Sequence, residues 1–206
     1  LGAPSPRAQA AACRPFDVRR DGLAMGEGAA AFVVEDADRA RARGAAPLAV
    51  VLGAAPSQDA YRATAPRPDG AAAARAIQAA LAAARLSPRD IGYVNAHGTG
   101  TPLNDPAECR ALHAALGADA ERVPVSSIKG AIGHLMAAAG AVEIAASLMV
   151  FQRDVLPGTA HHSVRDPACD VDVIGQTPRL ARVDAILSNS FGFGGQNCTV
   201  VLGRVA

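Results

Sequence analysis

Aromatic residues and clustered charge are both scarce in this sequence. Aromatic side chains make up 3% of the 206 residues, and there is no Trp. A stacking surface for bases is therefore excluded, and the abundant small residues predict closely packed helices. The formal net charge is +1, with 20 scattered basic residues, so no stretch forms an electrostatic footprint for nucleic acid or anionic lipid. We expect neither nucleic acid nor a membrane as a partner.

Paired cysteines are also lacking, because the four cysteines are far apart and form no CxxC or metal-ligand spacing. They are Cys13, Cys109, Cys169 and Cys198. We expect reduced thiols in a cytoplasmic protein. His161 and His162 with Cys169 are an alternative metal set, but adjacent histidines point apart on an extended chain, so we expect no bound metal.

Long uninterrupted apolar runs are absent as well. The longest one, Leu135 to Phe151, contains Glu143, and no segment combines a basic start, an apolar run and a small-residue cleavage site. The sequence therefore predicts neither a membrane span nor a signal peptide. The first residue is not Met, so we expect a cleaved or excised product.

Strand and helix patterns alternate along the chain, which favours an α/β layer structure with functional loops at the carboxyl ends of strands. Buried strands are predicted at Gly28–Glu35, Leu48–Gly53, Ile91–Asn95, Val123–Ser127, Val171–Ile174, Ala185–Ser188 and Cys198–Leu202. Helices are predicted over about Asp36–Arg43, Gly70–Leu86, Pro106–Leu116 and His134–Gln152. The last of these is apolar nearly all round and is expected to be fully buried.

Two histidines follow predicted strands in similar glycine-containing loops. His97 lies in NAHGTGTPLND and His134 in SSIKGAIGH. A single histidine is more often a packed or capping residue. Two of them at one edge of a parallel sheet, with Lys129 five residues before the second, indicate an acyl-transfer or decarboxylation site.

The motifs HGTGTPLND, SSIKGAIGH and SNSFGFGGQN, preceded by RPFDVRRDGLAMGEGA, resemble those of the C-terminal half of β-ketoacyl-acyl carrier protein synthases. The resemblance implies a thiolase-like α/β fold, of which this chain is the C-terminal lobe of a layered αβαβα architecture. Residues 1–15 are expected to form an entry segment and residues 16–206 the lobe proper. It also implies that an acyl group moves to a cysteine, and that a malonyl thioester then loses carbon dioxide and attacks it.

Matched residue by residue, His97 and His134 correspond to the family's paired histidines, whose neutral imidazoles donate N–H groups to the enolate. Lys129 corresponds to the family lysine, and Glu108 to a glutamate near it. A Lys129–Glu108 ion pair that orients the histidines is the economical interpretation. Asp105 closes the first motif, and a plain helix N-cap is an equally good interpretation of it.

Thr99 and Thr101 correspond to residues that hydrogen-bond the amides of the phosphopantetheine arm. Phe193, between two glycines, resembles the family's gating phenylalanine; from the residues alone, a packed Phe in a tight turn is the simpler interpretation. No cofactor is expected to be bound, since the substrates are carried on the phosphopantetheine of an acyl carrier protein.

None of the four cysteines has the context of the family's nucleophile, which lies in the other lobe. We therefore expect a separate chain with the N-terminal half as a partner, besides the acyl carrier protein and a second ketosynthase or chain length factor subunit. A chain length factor is also the alternative identity, although such subunits commonly lose the catalytic residues present here. A thiolase that uses coenzyme A shares the fold but not the motifs.

Overall fold

A six-stranded mixed sheet forms the centre of the protein, in a computed structural model that describes residues 4, 5 and 11–205. Its strands are β1 (Val50–Gln58), β2 (Tyr93–Asn95), β3 (Pro124–Ser126), β5 (Asp172–Val173), β7 (Ala185–Gly192) and β8 (Gln196–Gly203). They lie in the order β1-β8-β7-β2-β3-β5. A separate antiparallel pair is formed by β4 (Val155–Leu156) and β6 (Arg179–Leu180).

Five α-helices accompany these strands in the described residues: α1 (Ala37–Ala42), α2 (Ala71–Ala84), α3 (Asn104–Leu116), α4 (Lys129–Ile132) and α5 (Ala139–Arg153). The start of α2 illustrates how the sequence sets a boundary. The Asp69 carboxylate accepts the Ala71 amide hydrogen at 3.0 Å, which satisfies one of the free N–H groups of the first turn. The helix ends at Arg85 in the left-handed conformation, shortly before Ser87 and Pro88.

The parallel part of the sheet brings the two histidine loops together. β2 pairs in parallel with both β3 and β7, and Asn95 lies opposite Ser126 in the register. Because the two strands end at the same level, the loops that follow Asn95 and Ser126 leave the same edge of the sheet. The antiparallel hairpin β7–β8 reaches this edge from the other side, with its turn at Phe193–Gly195.

Alternate side chains of the strands pack on opposite faces. Val94 and Leu187 contribute to a core with α2 and α3, whereas Tyr93 and Ile186 contribute to a second core with α5. Each fully buried aliphatic side chain of this kind stabilises the fold by about 1.5–3 kcal/mol. Two packed faces explain why these strands are apolar runs rather than alternating patterns.

Two of the secondary-structure elements predicted from the sequence are wrong. The segment Gly28–Glu35 forms no strand, and it is largely exposed, with Val33 87% and Val34 80% accessible. Its apolar residues have no sheet edge to pair with among the described residues. The predicted buried helix His134–Gln152 begins only at Ala139, and one side of it is accessible, with Met149 45% exposed.

The other predicted elements are confirmed within a few residues, except that β1 continues to Gln58 and β7 to Gly192. Among the described residues, no helix has both the length and the apolar character required to span a membrane. The four cysteines are all free thiols.

Candidate active site

The loop after β2 is held from behind by a buried carboxylate. The two oxygens of Glu108, on α3, accept the amide hydrogens of His97 and Gly98, each at 2.8 Å. Gly98 has a φ of +38°, and a Cβ there would lie 2.5 Å from the Cβ of Ser127. The glycine in the motif is therefore required for the close approach of the two loops.

The structure brings His97 and His134 into contact. Their ring centroids are 5.3 Å apart with an interplanar angle of 81°. The ring of Phe191, at the end of β7, lies 5.5 Å from that of His97. His97 is buried, while His134 is only partly covered. The prediction that the two strand-end loops meet at one sheet edge is thus confirmed.

Lys129 lies beside His97, but its ionic partner is not the predicted one. Its Nζ donates to the His97 carbonyl oxygen at 2.5 Å, lies 3.5 Å from His97 Nδ1, and forms a short ion pair with Glu143. The predicted Lys129–Glu108 pair is wrong, because both Glu108 oxygens accept backbone N–H groups and one also accepts from Asn189 at 3.2 Å. Glu143 comes from α5, which packs on the other face of the sheet from α3.

The hydrogen bonds define the tautomers of both neutral imidazoles. Nδ1 of His134 accepts the Met136 amide hydrogen at 3.1 Å, and Nδ1 of His97 faces the Lys129 ammonium, which can only donate. Each neutral ring therefore carries its hydrogen on Nε2.

Burial and the neighbouring positive charge keep both rings neutral. Burial, then the charges of Lys129 and His134, hold the pKa of His97 well below its ordinary value. Burial and the Lys129 charge lower the pKa of His134 to about 4. In contrast, burial raises the pKa of Glu108 to about 7 despite the N–H groups that donate to it.

Asp105 is fully buried and is not the N-cap of α3. The helix begins at Asn104, and the Asp105 carboxylate accepts from the amides of Phe16 at 2.7 Å and Gly100 at 3.2 Å. The N-cap interpretation is wrong, because the N-cap position is Leu103 and the Asp105 carboxylate accepts from the backbone of Phe16 and of the histidine loop. Asp105 thus ties residues before β1 to the site.

A cavity of about 490 Å³ opens in front of the histidines. The predicted pantetheine-binding residues, Thr99 and Thr101, lie in its wall with their hydroxyl oxygens 2.8 Å apart. Phe193 also lines the cavity and is 51% exposed, so it is not a packed core residue. None of the residues that line the cavity is a cysteine.

The turn that carries Phe193 is held by residues that sequence reasoning missed. The Asp59 amide donates to the Gly195 carbonyl at 2.8 Å, and the Asp59 carboxylate accepts from Asn197 Nδ2 at 2.8 Å and from the Arg67 amide at 2.7 Å. Glu143 and Phe191 were missed as well. An acidic residue inside an otherwise apolar helix was the available signal for Glu143.

The chain is similar to known β-ketoacyl synthases. Residues 48–163 match the family model "Beta-ketoacyl synthase, C-terminal domain". A "Putative polyketide beta-ketoacyl synthase 1" of Streptomyces virginiae is 48% identical over 98% of this chain and 48% of its own length. A "3-oxoacyl-[acyl-carrier-protein] synthase 2" of Synechocystis is 46% identical over 92% of this chain and 45% of its own length.

Solved structures extend the likeness to the whole fold. A ketosynthase complex with a type II polyketide synthase acyl carrier protein, bound to a hexaketide, matches with a TM-score of 0.95 at 35% identity, over 100% of this chain and 51% of that chain. The ishigamide ketosynthase/chain length factor matches with a TM-score of 0.92 at 36% identity, over 100% of this chain and 49% of that one.

The chain belongs to the β-ketoacyl synthase family, of which it contains the C-terminal region. Its fold is the thiolase-like α/β fold of the ketosynthases. It spans about half the length of the curated relatives that it matches.

Proposed function

We propose that this chain is the half of a β-ketoacyl synthase that decarboxylates the malonyl thioester and stabilises the resulting enolate. The bond between the malonyl carboxylate and C2 breaks, carbon dioxide leaves, and the electron pair moves onto the thioester oxygen. The carbanion then attacks the acyl thioester held on a cysteine of the N-terminal half, and the cysteine thiolate leaves. The metabolic setting is the synthesis of a polyketide or a fatty acid in the cytoplasm, where reduced thiols are the rule.

The observation that carries this proposal is the pair of neutral imidazoles at 5.3 Å, both in the wall of one cavity. Because each Nδ1 is engaged by a donor, each ring has Nε2–H available as a donor toward an oxygen on which negative charge develops. Donors that are already oriented stabilise such charge without reorganisation. The Lys129–Glu143 pair serves orientation, since Lys129 binds the His97 carbonyl as well as facing its ring.

Thr99 and Thr101 are assigned to the pantetheine arm of the substrate. Their hydroxyl groups lie in the cavity wall with His97, and they hydrogen-bond each other at 2.8 Å. A short hydroxyl side chain can donate to or accept from an amide along a narrow passage. Phe193, exposed at the same cavity, is assigned as the gate for the acyl chain.

The companion is the N-terminal half with the nucleophilic cysteine. The thiol of Cys13 donates to the Thr99 carbonyl at 3.5 Å, and burial raises its pKa to about 11, so it is a poor nucleophile. The exposed apolar residues Phe32, Val33 and Val34 form a surface that a second half would cover. An acyl carrier protein and a second ketosynthase or chain length factor subunit complete the assembly.

The test is release of carbon dioxide from a malonyl thioester by the assembled enzyme, in which this chain is completed by its N-terminal half. His134→Ala and His97→Ala are each expected to lower the rate by about 100-fold or more, because each removes a donor to the enolate. His113→Ala is the matched control, since His113 lies on α3 and pairs with Asp170 outside the cavity. An unchanged rate in either cavity variant contradicts the proposal.

A chain length factor-type subunit is the second candidate, because solved structures similar to this chain include a ketosynthase/chain length factor pair. The two functions require different residues at one position of the companion half. A cysteine that becomes acylated by a thioester substrate supports the enzyme, and another residue in place of this cysteine supports the factor. Mass spectrometry of the assembled protein after incubation with an acyl thioester distinguishes them.

A further inference from the structure

The backbone of the Thr99–Thr101 loop is hydrogen-bonded to the segment Cys13–Gly22, none of whose residues lines the cavity. The Gly22 amide donates to the Gly100 carbonyl at 3.0 Å, and the Arg20 Nε donates to the Thr101 carbonyl at 3.2 Å. Asp105 accepts the Gly100 amide hydrogen at 3.2 Å and also the Phe16 amide hydrogen at 2.7 Å.

Such external support is needed because the loop has little stiffness of its own. Gly100 has a φ of +73°, and a Cβ at this position would lie 3.2 Å from the Arg14 nitrogen and the Gly22 oxygen. Glycine loses more conformational freedom than other residues when it becomes ordered, so a glycine-containing loop keeps one conformation only where its hydrogen bonds impose it.

Arg20 links several of the groups that hold this loop. Its side chain is only 7% exposed, and besides the Thr101 carbonyl it binds the Asp17 carbonyl at 3.1 Å and forms a short ion pair with Asp166. Its Nε also lies 4.0 Å from the buried Asp105 carboxylate. A guanidinium has five donors in a fixed plane, whereas a lysine ammonium is a point charge that cannot reproduce this set.

We propose that Arg20 is a positioning residue for substrate binding, which fixes the Thr99–Thr101 backbone so that the two hydroxyl groups engage the amides of the pantetheine arm. Arg20 does not line the cavity, so it acts only through the loop. The inference rests on the proposed function, because it gives the threonines their assigned ligand. It concerns binding of the arm, not the chemistry at the histidines.

The experiment compares two substrates in the assembled enzyme. Malonyl-pantetheine carries the two amides, and the malonyl S-ethyl thioester lacks them. Arg20→Met is expected to raise KM for malonyl-pantetheine about tenfold, the effect of losing one or two hydrogen bonds, with kcat within about twofold of the parent. KM and kcat for the S-ethyl thioester should stay unchanged. In a variant that folds, an equal loss of activity on both substrates, or no change on either, overturns the inference.

Controls keep the result interpretable. Arg19→Met is the matched variant: Arg19 is 48% exposed, binds Asp17 and Ser163, and is expected to leave both substrates unaffected. Arg20→Lys keeps a positive charge beside Asp105 and Asp166, so it supplies a folded variant if Arg20→Met does not fold, and the same selective rise in KM is expected. Failure of the proposed function gives a different result, in which the parent enzyme releases no carbon dioxide from either substrate.

Discussion

The two walls of the cavity are built differently. The histidine wall consists of His97 and, behind it, the buried side chains of Lys129, Glu108 and Glu143, which bind one another or the backbone of the His97 loop. The gate wall presents the half-exposed ring of Phe193, on a turn that the buried Asp59 holds by hydrogen bonds. The groups around the developing charge are therefore buried and fixed, whereas on the access side the backbone is fixed and the Phe193 ring is exposed.

The largest effect is expected in the histidine wall from Glu143→Leu. This change leaves the buried Lys129 ammonium without its ionic partner, which costs about 3–5 kcal/mol of stability. Thermal unfolding measures it as a lower Tm. The double variant Lys129→Met/Glu143→Leu removes both charges and should recover at least half of the loss. If the single variant unfolds at the parent temperature, the pair does not stabilise this wall.

A smaller loss, about 1–3 kcal/mol, is expected from Glu108→Gln. A glutamine offers only one oxygen, so its amide group would face the N–H of either His97 or Gly98. The same unfolding measurement ranks the two glutamates. A larger loss at Glu108 than at Glu143 would contradict the expected order of the two contributions.

The pH dependence of decarboxylation tests the neutral histidines. A histidine with the ordinary pKa of about 6.5 is about 90% protonated at pH 5.5, whereas the pKa of His134 is lowered to about 4. The rate at pH 5.5 should therefore stay within about twofold of that at pH 7.5 and fall as the pH approaches 4. A rate that already falls with a midpoint near 6.5 would contradict this.

The same pKa shifts predict how the stability of the fold changes with pH. The unfolded chain binds protons at His97 and His134 below about pH 6.5, and the folded chain does not until lower pH, so these groups destabilise the fold progressively as the pH falls below 6.5. Glu108 acts in the opposite direction, because its pKa is raised to about 7. His97→Ala and His134→Ala should therefore reduce the acid sensitivity of Tm.

The smallest effect is expected in the gate wall. Phe193→Ala removes a ring that is 51% exposed, so the free energy of unfolding should change by no more than about 0.5 kcal/mol. Acyl transfer should change, while decarboxylation of a malonyl thioester should not. A loss of stability comparable to that of Glu108→Gln would show that the two walls are equally well packed.

Much of the fold was predictable because apolar runs, glycine and proline mark the elements directly. The strands before His97 and Lys129, the helix after Asp69 and the last hairpin were all found. The stretch Gly28–Glu35 was wrongly predicted as a buried strand, because its apolar residues follow the pattern of one. Burial of such a segment depends on a partner element, which the described residues do not supply.

The sequence alone determined the family and which side chains could do the chemistry, since the motifs place His97, His134 and the threonines after strands of a parallel sheet. The pairings depended on tertiary packing: Lys129 with Glu143 rather than Glu108, Asp105 with the Phe16 amide rather than as the N-cap of its own helix, and Arg20 with the Thr101 carbonyl. The physical reason is that local spacing governs periodicity and turns, whereas the partner of a buried charge comes from whichever element packs against it.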